Sequence, residues 1–461
     1  MPASPRPMHL GFTIWPTGFH PGAWRLPGAP TNGNSSPALL QSAARTAERG
    51  KFDFFFIGDR VVGLPASQFA APNEVLRPEA LTLAAHIAAV TERIGLITTV
   101  NSTYAEPFNV ARSLATIDHL SNGRTGLNIV TGKNAEAARN FSRNEHWEND
   151  RRYDWATEFV QVLRLLWDSW EDGARIADPE TGRFVDEARV HRIDFRGEFF
   201  SVDGPLNVER PVQGQIPLVN AGSSERSRQL GARYSDVRFT NSSVLGLAGA
   251  RAYYDDLKRR LPAHGRAPRE QLVIPGVAVY TAPTSREAHE LYSRLQALGR
   301  QDVDLAGLSA ALGLALTGHH PDAVLDDVAD PADASAEGAL IIGEARELHG
   351  KNAVTLREVN SSYLRRGWFK EVVGSPAQVA DVLQEWFEQG AADGFMIFPP
   401  HMPDGLEAFV DLVVPELQRR GLFRTEYAGR TLRDHLGLAR PGNQFADAGV
   451  PSDTAAVVGG E

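Results

Sequence analysis

The residues best equipped for chemistry recur one or two at a time behind short apolar runs. Asp59 follows FDFFFIG (52 to 58), and Asn101, Ser102 and Thr103 follow IGLITTV (94 to 100). Asn128 and Thr131 lie in TGLNIVT (125 to 131), while Ser223 and Ser224 come just after IPLVNA (216 to 221). Thr240 and Asn241 end DVRFTN (236 to 241), and Pro399, Pro400 and His401 end or follow GFMIFP (394 to 399). The best-defined of these segments is NAGSSERSRQLGARY (220 to 234), where a strand turns through Gly222 into a helix starting at Ser223 or Ser224. Free N–H groups and the positive end of the helix dipole make such a start an anion site, and two hydroxyls suit phosphate. Plain N-capping by serine explains the same residues. Asn128 sits inside an apolar strand, where an unpaired amide costs ~1–3 kcal/mol, so neighbouring backbone or a ligand must satisfy it. A lone carboxylate such as Asp59 anchors a loop as readily as it catalyses. His20, in GFHPGAW, reads as loop packing, and His146 and Trp147 lie in a polar stretch that reads as surface. His319 and His320 are adjacent, so on a helix they point ~100° apart and cannot jointly hold a metal.

These residues need a scaffold that brings strand ends together. With MHLGFTI (8 to 14) and VIPGVAVYT (273 to 281), the apolar runs number roughly eight. Helical patterns lie between them near 37 to 49, 78 to 91, 107 to 121, 135 to 170, 224 to 233, 247 to 261, 284 to 298, 376 to 389 and 404 to 420. Continuous apolar strands need cover on both faces, so the α/β pattern predicts a (β/α)8 TIM barrel, with an open doubly wound sheet as the runner-up. In a barrel, polar groups after each strand meet at one rim. Residues 8 to 440 are expected to form a single barrel domain. A barrel takes ~250 residues, so insertions are expected near 59 to 77, 172 to 215 and 300 to 375, the second holding a hairpin in RIDFRGEFFSVDG and the third serving as a lid. Residues 441 to 461 lack periodicity and are expected to be a disordered tail.

Composition narrows the chemistry. The 461 residues carry 47 Lys and Arg against 57 Asp and Glu, a net charge of −10, with no basic block to meet nucleic acid. There is no cysteine, which removes disulfides, thiolate metal sites and thiol nucleophiles. The first residues, MPASPRPM, lack the apolar core of a secretory signal, and no stretch reaches the ~18 apolar residues of a membrane span, so a soluble cytoplasmic protein is expected. No G-x-G-x-x-G follows a strand, and no H-E-x-x-H or G-x-S-x-G occurs. GLNIVTGKN (126 to 134) has the wrong glycine spacing for a P-loop and Asn134 where Ser or Thr should hold Mg2+. No metal site is expected.

Blocks along the chain carry a resemblance: HPGAWR (20 to 25), ERGKFDFFFIGD (48 to 59), TERIGLITTVNSTYAEPF (91 to 108), IDHLSNGRTGLNIVTG (117 to 132), AARNF (137 to 141), RRYDWATEFVQVLRLLWDSW (151 to 170), GPLNVERPVQGQIPLVNAGSSE (204 to 225), DGFMIFPP (393 to 400) and VVPELQRRGLFRTEY (413 to 427). In this order they resemble the bacterial luciferase-like FMN-dependent monooxygenases, in the group of nitrilotriacetate monooxygenase component A, dibenzothiophene-sulfone monooxygenase and the pristinamycin synthase large subunit. The resemblance implies a TIM barrel that takes reduced FMN (FMNH2) from a separate NAD(P)H-dependent flavin reductase and, with O2, oxygenates a small organic substrate. It explains the missing nicotinamide motif. It also implies Asp59, Thr103 and Tyr153 as flavin contacts, Ser223 and Ser224 as phosphate ligands, and a homodimer or homotetramer. Relatives carry His four residues before that Tyr, whereas Asn149 stands here. Asn keeps hydrogen-bonding capacity but loses the option of charge beside a phosphate, a loss Arg151 or Arg152 is placed to offset. Relatives also carry Ser or Thr where Gly132 and Lys133 follow the fourth run, so a cation is offered to the flavin or to an acidic substrate.

An adduct of reduced flavin with O2 survives only where water is excluded. The resemblance therefore assigns Asn128 and Thr103 to the ring near N5 and bound oxygen, and makes His20, His319, His320 or His401 proton donors or substrate contacts. Two rivals share the barrel: a deazaflavin-dependent oxidoreductase that transfers hydride without O2, and a flavin-binding relative without catalysis. The aromatic segments FDFFF and RRGWFKEVV are candidates to line an apolar pocket.

Overall fold

The computed structural model describes residues 7–63, 75–298, 303, 305–366 and 369–447. Among these described residues eleven strands run in chain order: β1 (His9–Thr13), β2 (Phe54–Ile57), β3 (Gly95–Asn101), β4 (Thr125–Val130), β5 (Phe195–Arg196), β6 (Ser201–Val202), β7 (Leu218–Ala221), β8 (Val237–Thr240), β9 (Leu272–Thr281), β10 (Lys370–Gly374) and β11 (Gly394–Phe398). Eight of them, β11, β1, β2, β3, β4, β7, β8 and β9, pair in parallel in that order. β9 pairs with both β8 and β11, which closes the ring and excludes the open sheet. The fold is a luciferase-like (β/α)8 TIM barrel.

Period-2 alternation explains why these strands need cover on both sides. Leu10, Phe12, Phe55 and Leu96 pack outward against helix residues, in one cluster with Leu83 and Val413. Phe54, Phe56, Ile97, Val219, Ile274 and Met396 fill the lumen. At its lower end Leu432 joins this inner cluster, fitting where Gly95 and Gly126 have no side chain: a Cβ at either would approach a Leu432 methyl to 2.5 or 2.9 Å.

Most helices fall where the pattern puts them. Pro37–Arg49 starts from Ser36, whose hydroxyl accepts the Leu39 N–H with proline in the first turn. Ser285–Ala297 starts from a Thr284/Glu287 capping box. The long helix expected over 135 to 170 is corrected: Ala137–Asn140 is one turn, and the helix proper is Asn149–Asp168. Ser142 takes a left-handed φ of 57°, which breaks the helix, and the Arg143 guanidinium lies 4.0 Å from the centre of the Trp147 ring. The helix expected over 404 to 420 widens into a π turn at Phe409–Val413.

Residues 172 to 215 hold the hairpin β5/β6, and Phe200 and Leu206 pack on the helix Asn149–Asp168. Much of 59 to 77 lies outside the described residues. The third insertion forms a small helical unit around Leu308, Leu316, Ile341 and Val359, then leads into β10, an edge strand on the far half of β9 that the sequence reading missed. The start of the expected tail is corrected too: the Pro441 and Gly442 carbonyls accept from Arg210, and Asn443 donates to the Asp168 and Trp170 carbonyls. Residues 448 to 461 lie outside the described residues. Among the described residues no helix is long and apolar enough to cross a membrane.

Candidate active site

Parallel closure places every C-terminal strand end at one rim. Reading round that rim, His401 follows β11, His20 follows β1, Asp59 follows β2, Thr103 follows β3, Lys133 follows β4 and Ser223 follows β7. Strand order therefore puts the serine turn across the mouth from His20.

Between β2 and β4 lies a cleft of about 210 Å3 lined by Asp59, Arg60, Thr99, Asn101, Gly132 and Lys133. Asp59 accepts the Arg60 N–H at 2.6 Å, and burial raises its pKa. Asn128 faces inward, because Leu127 and Ile129 on either side join the outer cluster. Its Nδ2 donates to Thr99 Oγ1 at 3.0 Å, while its buried Oδ1 has no partner among the described residues. Thr103 is wholly buried and donates its hydroxyl to the Thr131 carbonyl at 2.8 Å, so only its lone pairs are open to a ligand.

The serine turn combines conformation and capping. Gly222 takes φ +110°, and a Cβ there would come within 2.9 Å of Ser227 Oγ. Ser224 caps the helix Glu225–Tyr234, accepting the Ser227 N–H at 3.2 Å. Ser223 is exposed and its hydroxyl makes no hydrogen bond among the described residues. Capping thus accounts for Ser224 alone. Arg226 donates to the Asp150 carbonyl and the Asp154 carboxylate, drawing in the helix Asn149–Asp168, and the Tyr153 hydroxyl sits 3.6 Å from where a Gly222 Cβ would be. Asn149 accepts from the Arg152 guanidinium at 3.3 Å; Arg152 is buried and also reaches the Thr131 carbonyl, whereas Arg151 stacks on Trp147.

Across the mouth, His20 Nδ1 accepts the Gly22 N–H at 3.1 Å, which puts the proton on Nε2. Burial holds His20 down at about 4, the nearby His401 ring adding to the shift and a hydrogen bond with Gln296 opposing it, and burial lowers His401 as well. The His401 Nδ1 is buried without a partner among the described residues. His319 and His320 are not part of this group: both are exposed in a turn of the helical insertion, with His320 beside Asp322. Among the described residues no three His, Asp or Glu side chains converge on a metal position.

Sequence reasoning missed three features. Phe19, Phe239, Phe369 and Phe398 build an aromatic floor, with Phe369 and Phe398 stacked at 4.1 Å and Phe56 reaching Phe239 at 5.8 Å. Phe56 and Phe369 come from the two aromatic segments noted above, and their facing follows only from strand register. Tyr104 stacks on Phe141 at 4.6 Å and bonds His146 Nδ1 at 2.6 Å, so His146 is not plain surface. Arg238 is a charged residue in an otherwise apolar strand, which was its one visible signal.

Comparison with known proteins agrees with the fold. The luciferase-like monooxygenase family model matches residues 17–393. The chain is 41% identical over 452 residues to nitrilotriacetate monooxygenase component A of Aminobacter aminovorans, covering 95% of this chain and 98% of that one. It is 40% identical to N-acetyl-S-(2-succino)cysteine monooxygenase of Bacillus subtilis (strain 168), covering 97% and 100%. The solved structure of EDTA monooxygenase from Chelativorans sp. BNC1 superposes with a TM-score of 0.77 at 29% identity, covering 95% and 100%. Full-length similarity to monooxygenases displaces both the hydride-transfer and the non-catalytic alternatives. The chain belongs to the luciferase-like monooxygenase family and is a flavin-dependent monooxygenase of the two-component type.

Proposed function

We propose that the barrel mouth takes reduced FMN from a separate NAD(P)H-dependent flavin reductase and, with O2, oxygenates a small substrate bearing carboxylates. The observation that carries the cofactor is Asn128 Oδ1, a buried acceptor without a partner among the described residues, on an inward-facing side chain bonded to Thr99 of the cleft wall. Ser223, Ser224 and Tyr153 would hold the phosphate, and Asp59, Thr103 and Asn128 the ring. When bound, reduced flavin supplies the two electrons that let one atom of O2 pass to substrate and the other leave as water. The protein's part is orientation and exclusion of water. The aromatic floor keeps the mouth apolar, and Phe369, where the helical insertion returns to the barrel, supports a lid role for that insertion. His20, with its proton on Nε2, would offer a donor at the rim, and His401, its pKa also lowered by burial, would contact substrate there, whereas exposed His319 and His320 are not placed for either.

The substrate class rests on Lys133, a cation on the cleft wall, together with the carboxylate-rich substrates named for the three relatives above. The test supplies the protein with a flavin reductase, FMN, NADH and isotopically labelled O2 over a panel of aminopolycarboxylates and thioether dicarboxylates. Labelled oxygen in a product or its cleavage fragment is expected. Reductase-dependent turnover confined to uncharged substrates would overturn the substrate class, and turnover with a deazaflavin and no O2 uptake would overturn the cofactor.

A further inference from the structure

Arg238 lies on β8 with its side chain wholly enclosed. Its neighbours Val237 and Phe239 face the lumen, so Arg238 points away from it, beneath the Gly222 turn. Nη2 donates to the Gly222 carbonyl at 2.7 Å, and Nη1 donates to the Ser227 carbonyl at 3.1 Å and to Asn220 Oδ1. Its Nε is buried with no partner among the described residues. Among the described residues no carboxylate pairs with it. Of the other buried cations, Arg210 has Asp168 at 3.0 Å and Lys258 has Asp393 at 2.8 Å, while Arg152, less deeply buried, meets the Thr131 carbonyl and the Asn149 amide oxygen. Even Arg124, whose donors all meet carbonyls and a hydroxyl, feels Glu48 and Glu92. The groups acting on Arg238 are the phenols Tyr253 and Tyr153 and the cation Arg228.

A guanidinium keeps its proton in proteins, so this is a buried positive charge without an anion. The Gly222 carbonyl is drawn towards it from one side of the turn. The opposite side carries the N–H groups that open the helix Glu225–Tyr234 and the open hydroxyl of Ser223.

We propose that Arg238 is the fixed positive charge of an anion site at the Gly222–Ser224 turn, acting through the Gly222 carbonyl on a phosphate monoester dianion. It is a positioning residue, and the inference rests on the reading that the flavin phosphate sits at this turn. Asn220 offers a way to silence the charge without removing the side chain. Asn220→Asp is isosteric and places a carboxylate on the Nη1 that Asn220 Oδ1 already accepts from.

The experiment compares anaerobic binding of reduced FMN and reduced riboflavin, which lacks the phosphate, together with thermal stabilisation by inorganic phosphate. Wild type is expected to prefer FMN and to be stabilised by phosphate. In Asn220→Asp the FMN preference should fall about tenfold with riboflavin affinity unchanged, although the protein melts no lower. Arg238→Gln should do the same, and Arg238→Lys should keep the preference. Equal binding of FMN and riboflavin by wild type would refute the phosphate reading itself. A wild-type preference that survives Asn220→Asp would overturn the role of Arg238 alone, and this arm decides even if Arg238→Gln does not fold.

Discussion

Asn128 on β4 and Thr99 on β3 are register partners, and the amide of one donates to the hydroxyl of the other at 3.0 Å while the amide oxygen is left buried and unmatched. A folded chain gains nothing from such an atom; a bound ligand does. Asn128→Leu keeps the volume and deletes the mismatch, which costs ~1–3 kcal/mol. Its melting temperature should equal or exceed the wild type's, while reduced-FMN affinity drops about tenfold. Calorimetry with anaerobic titration reads both quantities; a less stable variant with unchanged affinity would make Asn128 an ordinary core residue.

The two serines of the turn should separate. Ser224→Ala loses the helix cap and should cost about 1 kcal/mol of stability as well as FMN affinity. Ser223→Ala should leave stability within ~0.5 kcal/mol, as for most surface changes, and still weaken FMN. Urea titration beside flavin titration checks this, and a Ser223→Ala protein that binds as wild type would remove that hydroxyl from the site.

His20 makes stability depend on pH with a definite sign. Its pKa is about 4 in the folded protein against 6.5 ordinarily, so between those values the unfolded chain binds the proton and the folded one does not. Stability from this residue is therefore complete above about pH 6.5, declines as pH falls and is exhausted near pH 4, a loss of about 3 kcal/mol. His20→Gln should flatten the slope in that window. Denaturant midpoints measured through it would show parallel curves if the His20 ring were free to charge.

Lys133 should act on substrate rather than on flavin. Lys133→Ala is expected to raise KM for a carboxylated substrate about tenfold with kcat little changed, and to reduce the sensitivity of KM to salt. Steady-state kinetics at two ionic strengths tests it; an equal fall in kcat and kcat/KM would place the charge at the reacting centre instead.

Much of the architecture was legible because its signals are local. Eight apolar runs with polar ends became eight barrel strands, and Gly222 followed by two serines became a turn and a capped helix. β10 was not legible, since Lys370 and Glu371 interrupt its apolar pattern and only β9 gives it a partner. The gap between Asn140 and Asn149 was hidden because its breaker, Ser142, is not a residue that announces a left-handed backbone. His319 and His320 drew notice by type, but location depends on how the insertion folds around Leu308 and Ile341. The bond from Arg238 to Gly222 joins two strands' worth of register, which no linear pattern displays.

Leu432, lodged against Gly95 and Gly126, stoppers the barrel from below. With the lower end filled, solvent entering the lumen would come by way of the rim, past the flavin that we propose binds there. Removing the stopper, by ending the chain ahead of Leu432 or by Leu432→Ala, should turn a flask into a leaking pipe: reducing equivalents would drain to hydrogen peroxide even in a protein whose rim is untouched.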